Sequence, residues 1–271
     1  MSAALADAET LVRTGDLDAG LKALQDAVRA DPAKQTLRVF LFQLLCVLGD
    51  WNRAITQLKL CAELDAAALP MAQTYREAII CEVFREKVFA GEKQPLVFGD
   101  PQDWIALLIE ALRLDGDGRA DEARAMRDRA FEDAPASAGT LNGAPFEWVA
   151  DADMRLGPVL EAVIDGKYYW VPVNALASLT AEPPADLRDT VWTPCHITLR
   201  NGGDTVALIP TRYAGTVANG TPAEKLSRAT SWHAFAPEAF AGRGQRLLAT
   251  DAGETPVMEL RELVIEAASD G

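Results

Sequence analysis

The sequence predicts a multidomain α+β protein, with an N-terminal tetratricopeptide-like α-helical repeat domain over residues 1–140 and a mostly-β domain over residues 141–271. The first observation behind this prediction is a repeat: the segment that begins at Gly15 recurs at Gly49 with the 34-residue period typical of tetratricopeptide repeats. The second is a change after about residue 136, where Pro and Gly become frequent and apolar residues begin to alternate. Helical repeats stack and leave a curved surface, so the first half is predicted to be an interaction scaffold.

The two repeat copies define the first helices. Apolar spacing predicts four helices in two antiparallel pairs, over residues 5–12, 17–30, 37–48 and 51–64. The steps Gly15-Asp16 and Gly49-Asp50 supply the tight turns between the helices of each pair. The small-large-small residue pattern of the repeat occurs in both copies, as Gly20, Leu24 and Ala27 and as Ala54, Leu58 and Cys61.

A weaker third copy occupies residues 118–135. Ala123 and Ala130 fit the repeat pattern there, but Arg127 stands where a bulky apolar residue is expected. Between the second and third copies, residues 71–90 predict one longer helix, residues 91–101 a loop and residues 104–114 the partner of the last repeat helix. The N-terminal half is therefore predicted to hold seven helices.

The composition of residues 136–145 is that of a linker between two domains. Beyond it, strands are predicted over residues 146–150, 159–164, 168–173, 195–199, 205–209 and 257–264. Asp165-Gly166 marks a hairpin. Residues 223–228 and 237–241 are predicted to form short helical turns.

Charge and cysteine content exclude several classes of protein. The 271 residues carry 26 Lys and Arg against 40 Asp and Glu, a net charge of −14, which disfavours binding to nucleic acid or to an anionic membrane. The N-terminus lacks the pattern of a secretory signal, and the apolar run over residues 39–48 is about half the length of a membrane span. The four cysteines form no CxxC pair. We therefore expect a cytoplasmic protein with reduced, buried thiols.

One group of side chains in the second half could carry chemistry. Asp153 and Glu161 flank Arg155, and paired carboxylates beside a guanidinium can perform acid–base work. The favoured alternative is that Arg155 forms a structural ion pair and that Gly157-Pro158 sets a turn.

Other candidates give no catalytic set. Arg212-Tyr213 could clamp a phosphate or carboxylate, but such a pair more often closes a domain, and Arg212→Ala is expected to fold and to bind partners normally. Cys195 and His196 are neighbours on one strand and point to opposite faces. We predict no catalytic residues, no metal site and no cofactor.

The helix predicted over residues 37–48 is apolar on all sides and must be covered on all sides. One face packs on the partner helix of its repeat. The side chains expected on the concave side are Val39, Gln43, Cys46 and Val47. Either these residues form a groove that receives a helix of a partner, or the long helix or the β domain already covers them.

Four separated segments carry sequence motifs that occur together in one known family. They are residues 153–172 (DMRLGPVLEAVIDGKYYWVP), 183–192 (PPADLRDTVW), 208–216 (LIPTRYAGT) and 242–251 (GRGQRLLATD). In this order, behind a repeat-like N-terminal half, they strongly resemble the ImpE/TagJ family, accessory proteins of the bacterial type VI secretion system. One departure is Ala214, where the family pattern has proline. The motif residues expected to be structural are Asp153, Arg155, Gly157, Pro158, Glu161, Tyr169, Trp170, Pro172, Arg212 and Tyr213.

The resemblance implies a non-enzymatic cytoplasmic adaptor. It implies binding to an N-terminal helix of the small subunit of the contractile sheath, and a link to the AAA+ ATPase that disassembles the contracted sheath. An acidic surface favours a partner helix with Lys or Arg on its flanks. Two alternatives stay open: a hydrolase or transferase with a site in the β domain around Asp153, Glu161 and Arg212, and a general chaperone for secreted effectors.

Overall fold

The N-terminal half is built from helix pairs, as the repeat predicts. The computed structural model describes residues 3–100, 102–236 and 238–267. Its helices in this half are α1 (Ala3–Thr14), α2 (Leu17–Ala30), α3 (Gln35–Leu48), α4 (Trp51–Leu64), α5 (Leu69–Phe89), α6 (Asp103–Gly116) and α7 (Ala120–Asp133). The predicted seven helices are confirmed over the described residues. None of the described helices is long and apolar enough to cross a lipid bilayer.

The 34-residue period reflects a turn that is used twice. Gly15 and Gly49 both end a helix in the left-handed conformation, with φ of 90° and 73°. Asp16 and Asp50 then cap the next helix, because an oxygen of each carboxylate accepts a main-chain N–H three residues further on, at 3.0 and 3.3 Å. Gly49 has a further constraint, since a Cβ there would lie 2.0 Å from Cγ1 of Val217 in the C-terminal half.

Gly49→Ala is expected to destabilise the protein more than Gly15→Ala. A non-glycine residue in this conformation costs about 1–3 kcal/mol at either position. Only the added methyl at Gly49 also collides with Val217, since a Cβ at Gly15 meets no atom within 4 Å. Urea denaturation of both variants measures the difference, and Val217→Ala should recover part of the loss in Gly49→Ala. Equal losses in the two variants would contradict this contact.

The C-terminal half is mostly β-structure, and one short strand of the helical half joins it. The strands are β1 (Leu96–Val97), β2 (Gly139–Leu141), β3 (Ala144–Phe146), β4 (Val149–Asp151), β5 (Val159–Ile164), β6 (Lys167–Pro172), β7 (Leu176–Ala181), β8 (Trp192–Leu199), β9 (Asp204–Pro210), β10 (Thr230–Ala236), β11 (Ala239–Gly244), β12 (Leu247–Thr250), β13 (Gly253–Pro256) and β14 (Glu262–Ile265). One nine-stranded sheet has the order β1-β6-β5-β9-β8-β7-β14-β2-β3. A second sheet has the order β13-β12-β4, and β10 and β11 form a hairpin. Two short helices, α8 (Thr216–Asn219) and α9 (Pro222–Lys225), precede the hairpin. The predicted α+β fold class is confirmed.

Sequence expectations for five segments need correction. The strand expected over residues 146–150 is interrupted, since β3 ends at Phe146 and β4 begins at Val149. The strand expected over residues 257–264 begins instead as a 3-10 turn, Val257–Glu259, ahead of β14. Residues 136–145, expected to be a linker, contain β2 and most of β3, because main-chain pairing with β14 overrides their weak strand propensity. The expected loop over residues 91–101 contains β1, which pairs in parallel with β6 of the C-terminal half. The helical turn expected over residues 237–241 is wrong where it is described, since β11 begins at Ala239, while Pro237 lies outside the described residues.

One hydrophobic core joins the helices to the sheet. Trp192 of β8 packs against Trp51 of α4 and Tyr75 of α5, with ring centroids 6.1 and 5.7 Å apart. β5 is buried at every position, because helices cover one of its faces and a second core covers the other. The helical half therefore lies directly on the sheet. The domain boundary near residue 140 stays a prediction.

Candidate partner-binding site

A shallow groove separates α1 from α3, the first helices of the two regular repeats. Leu5 and Glu9 of α1 form one wall, and Val39, Phe40 and Gln43 of α3 form the other. The hollow has a volume of about 290 Å³. First helices of successive repeats line the concave surface of a helical-repeat protein, so this is the surface on which such proteins hold peptides and helices.

A second hollow extends this groove toward the C-terminal half. It has a volume of about 310 Å³ and shares Glu9 and Phe40 with the first hollow. Residues 184–187 and Thr190 form its far wall, and the 3-10 turn Leu187–Thr190 packs against α3. We call the two hollows together the trough, defined by Leu5, Glu9, Val12, Val39, Phe40 and Gln43 of the helical half and by Leu187 and Thr190 of the C-terminal half. Its walls come from both halves of the chain.

The structure divides the four residues expected on the concave side. Val39 and Gln43 line the trough, Val39 half-buried and Gln43 buried. Cys46 and Val47 do not, because both are fully buried. The expectation that these two face a free groove is therefore wrong. The C-terminal half covers the end of α3, which is the alternative that the sequence left open.

Arg212 joins the C-terminal half to the end of α3. Its guanidinium is buried and donates to the main-chain oxygens of Val47 at 2.8 Å and Cys46 at 3.3 Å, and also to that of Lys225 at 2.8 Å. The last carbonyls of a helix lack partners within the helix, and a cation there also complements the helix dipole. Burial lowers the pKa of Arg212 to about 10, so it stays charged at neutral pH. Arg212 thus fixes the C-terminal half to the end of α3, and its buried guanidinium is not placed to bind a ligand.

Glu161 lies at the centre of a buried ion network. Arg85 of α5 donates two hydrogen bonds, of 2.6 and 2.8 Å, to the Glu161 carboxylate. Arg246 approaches the same carboxylate at 3.2 Å and pairs with Asp151 at 2.6 Å. The hydroxyl group of Tyr168 donates a hydrogen bond to Glu161. Each charge in the network has a charged partner, as buried charges require. The network fixes α5 to β5.

The two carboxyls of this network differ in acidity. Burial alone would raise the pKa of Glu161, but the charges of Arg85 and Arg246 lower it to about 2. Burial raises the pKa of Asp151 to about 6, which Arg246 opposes and the neighbouring Asp153 reinforces. Glu161 is therefore held as a carboxylate across the neutral range.

Asp153 and Arg155 form the structural ion pair that the sequence favoured. Nε and Nη2 of Arg155 donate to the Asp153 carboxylate at 2.9 and 2.5 Å, and the main-chain N–H of Gly242 donates to it at 3.0 Å. Gly157 turns the chain with φ of 59°, and a Cβ there would lie 2.3 Å from the Phe131 ring. Asp153 and Glu161 thus belong to separate ion pairs.

The remaining motif residues pack inside the sheet region. Trp170 is buried and donates its indole N–H to the Tyr168 oxygen at 2.9 Å. Tyr169 packs against Phe98 with ring centroids 5.3 Å apart. Tyr213 is buried beside Trp232, and the N–H of Leu247 donates to its hydroxyl oxygen at 2.9 Å. Pro158 and Pro172 lie at the ends of β5 and β6, where the N–H of Val173 donates to the Pro158 oxygen at 3.0 Å.

Comparisons with known proteins agree with this architecture. Residues 143–264 match the family model described as ImpE protein. Over 259 residues the chain is 54% identical to the type VI secretion system accessory component TagJ of Pseudomonas aeruginosa. The matched region covers 96% of this chain and 91% of that protein. The chain belongs to the ImpE/TagJ family. All four motif segments that carried the resemblance lie within the matched residues.

The fold of this ImpE/TagJ family member is also found in a solved structure. The X-ray crystal structure of protein VPA1032 from Vibrio parahaemolyticus superimposes with a TM-score of 0.88, covering 96% of this chain and 98% of that chain. The sequence identity is 24%, so this likeness concerns the fold alone.

Sequence reasoning missed most of the buried network. It singled out Glu161 but not its partners Arg85, Arg246, Asp151 and Tyr168. One signal was present in α5, where Glu82 and Arg85 occupy the same buried stripe as Ala78 and Cys81. Charges on the buried face of a helix indicate a buried partner. The identity of that partner, 76 residues away at Glu161, is not encoded in any local pattern.

Proposed function

We propose that this family member is an accessory component of a type VI secretion system and acts in the cytoplasm as a non-enzymatic adaptor. Its trough holds an N-terminal helix of the sheath small subunit, and a link to the AAA+ disassembly ATPase completes the adaptor role. The observation that supports the binding mode is the trough itself, an apolar-floored groove between α1 and α3.

The chemistry of the trough suits an amphipathic helix. Val39 and Phe40 are half-buried and leave apolar surface for anchors of a partner helix spaced at i, i+3 or i+4 and i+7. Glu9 lines both hollows at their junction. Arg13, Asp186 and Arg228 line the second hollow, so the charges within the trough balance. The net charge of −14 on the whole chain favours a helix with Lys or Arg beside its apolar stripe.

The absence of catalysis is part of the proposal. Asp153, Glu161 and Arg212, the residues of the enzyme alternative, are buried and engaged in separate structural contacts. Acid–base or nucleophilic work needs a group within reach of a substrate. We expect background rates in hydrolase and ATPase assays of the pure protein. A rate above background that disappears in Asp153→Asn would contradict this part of the proposal.

Val39→Glu is expected to weaken binding of the sheath subunit's N-terminal helix at least tenfold. Burial of one large apolar side chain contributes roughly 1.5–3 kcal/mol, and about 1.4 kcal/mol corresponds to a factor of ten. Calorimetry with a synthetic peptide of that helix measures the change, and thermal melting of the variant should match the parent because Val39 is only half-buried.

Two further variants complete this test. Val206→Glu is the matched control, since Val206 is 69% exposed and lines neither hollow of the trough, and it should bind as the parent does. Val47→Glu should unfold, because Val47 is fully buried. Parent-like affinity of a folded Val39→Glu variant would place the partner elsewhere.

A further inference from the structure

A separate cavity of about 430 Å³ lies on the nine-stranded sheet beside the helical half. Tyr75 of α5, the segment of residues 182–189 and strands β7, β8 and β9 form its sides. Residues 184–186 also line the second hollow of the trough, so they form a ridge between the two spaces. Arg13 and Arg228 line the hollow on the other side of this ridge. We call this space the acidic cavity and define it by Tyr75, Ala181, Glu182, Asp186, Arg188, Asp189, Pro194 and Val206.

The strands form an apolar side of this cavity that carries no carboxylate among the residues lining it. Pro194 of β8 and Val206 of β9 are exposed there, and Val206 is 69% exposed. His196 of β8 lies 3.2 Å from the Asp204 carboxylate, which balances the imidazole when it is charged. Such a wall can accept the methylene groups of a long side chain.

Negative charge is in excess on the opposite side. The segment of residues 182–189 contributes the carboxylates of Glu182, Asp186 and Asp189 to the lining, against one guanidinium, that of Arg188. Arg188 is already engaged, because its Nε donates to the Asp186 carboxylate at 2.9 Å. One oxygen of Asp189 accepts the N–H groups of Ala185 and Asp186, at 2.6 and 3.0 Å, and its other oxygen has no partner within the described residues. Glu182 is exposed, and no basic side chain of the described chain pairs with it.

The hydroxyl group of Tyr75 gives a second, independent indication of a ligand. Tyr75 is only 8% exposed, yet its hydroxyl makes no hydrogen bond within the described residues. The hydroxyl is also not one of the side-chain atoms that are fully buried without a partner, so it reaches the cavity that Tyr75 lines. Burial raises the pKa of Tyr75, so the group stays protonated and can both donate and accept a hydrogen bond. Polar groups of buried side chains normally have a partner, so a polar group of a ligand is expected opposite this hydroxyl.

From these observations we infer that the acidic cavity receives the side chain of an arginine or lysine of a partner protein. The apolar stem of that side chain lies against Pro194 and Val206, and its cation lies among Glu182, Asp189 and the Tyr75 hydroxyl. The carboxylates come from one side of the cavity only, which suits a single cation on a stem and not a polyamine with cations at both ends. This site is separate from the trough, and its occupation does not depend on the proposed function.

The test uses a defined probe, an acetylated and amidated pentapeptide with one arginine between glycines, and a second peptide with lysine in its place. Each is titrated into protein whose tyrosine rings carry carbon-13. The chain has four tyrosines, and Tyr75→Phe identifies the Tyr75 signal in the NMR spectrum. Both peptides should shift the Tyr75 signal saturably and leave the other tyrosine signals in place. Replacing the arginine of the peptide by citrulline keeps the shape but removes the charge, and should weaken binding at least about tenfold.

Two variants of the protein locate the charge that matters. Glu182→Gln should weaken binding of the arginine peptide roughly three- to fivefold, the upper range for a partly exposed ion pair. Glu92→Gln is the matched control, since it removes the same charge from an exposed position outside the cavity, and it should bind as the parent does.

Several results would overturn the inference. They are no saturable shift of the Tyr75 signal with either peptide, equal binding of the citrulline peptide, and equal affinity of Glu182→Gln and Glu92→Gln for the arginine peptide. Spermidine that shifts the Tyr75 signal at lower concentration than both peptides would assign the cavity to a free polyamine instead.

Discussion

Glu161→Gln is expected to lower the free energy of unfolding by about 3–5 kcal/mol, the usual cost of removing one partner from a buried ion pair. The substitution keeps the size of the side chain but removes the charge that faces Arg85 and Arg246, both of which are buried. Those two guanidiniums then repel each other with one carboxylate fewer between them. Urea denaturation measures the loss. Glu63→Gln is the matched control, since its pair with Lys59 is exposed and should contribute under about 1 kcal/mol.

The difference between the parent and Glu161→Gln should also depend on pH. The pKa of Glu161 in the folded protein is lowered from 4.5 to about 2. A carboxyl with a lowered pKa stabilises the fold above its unfolded pKa, and this stabilisation disappears as the pH falls through the folded pKa. The difference should therefore be full at pH 7 and should shrink between pH 4.5 and pH 2. A loss below about 1 kcal/mol at pH 7, or one that grows in acid, would contradict the network.

Arg212→Ala is expected to destabilise the protein by at least about 3 kcal/mol, because hydrogen bonds from a charged donor contribute about 1.5–3 kcal/mol each and the carbonyls they serve become unsatisfied. This replaces the expectation from sequence that the variant would fold normally, because the guanidinium is buried on the end of α3. Arg29→Ala is the control, since its side chain is 70% exposed. Thermal melting compares the two.

Arg212→Ala is also expected to weaken binding of the partner helix in the trough. α3 carries Val39, Phe40 and Gln43, so loosening its end should weaken helix binding even where the variant stays folded. Melting of Arg212→Ala within a few degrees of the parent, together with unchanged peptide affinity, would show that Arg212 does not hold α3.

Local patterns in the sequence predict the helices well, for reasons visible in the structure. Gly15 and Gly49 end helices in the left-handed conformation, and Asp16 and Asp50 cap the next ones, so the turn chemistry itself repeats. β1 could not be predicted in this way. Its two residues become a strand only because β6, encoded more than 70 residues later, offers a parallel partner at Tyr169 and Trp170.

The candidate site was predictable in part. Helical geometry places Val39 and Gln43 on one side of α3, where both line the trough although Gln43 is buried, but it cannot show that the C-terminal half covers Cys46 and Val47. The same limit applies to Arg212, whose contacts with α3 join residues 165 and 166 positions apart. Local periodicity predicts a face of a helix, whereas tertiary packing decides how much of that face stays free.

Hydrogen-exchange mass spectrometry of this protein with and without the sheath small subunit tests the central claim most directly, because it maps the binding surface without assuming where it lies. The proposed binding mode predicts slower exchange in α1 and in the first two turns of α3, around Leu5, Glu9 and Val39. Exchange in β8 and β9 should stay unchanged. Protection confined to the C-terminal half, with α1 and α3 exchanging as in the free protein, would contradict it.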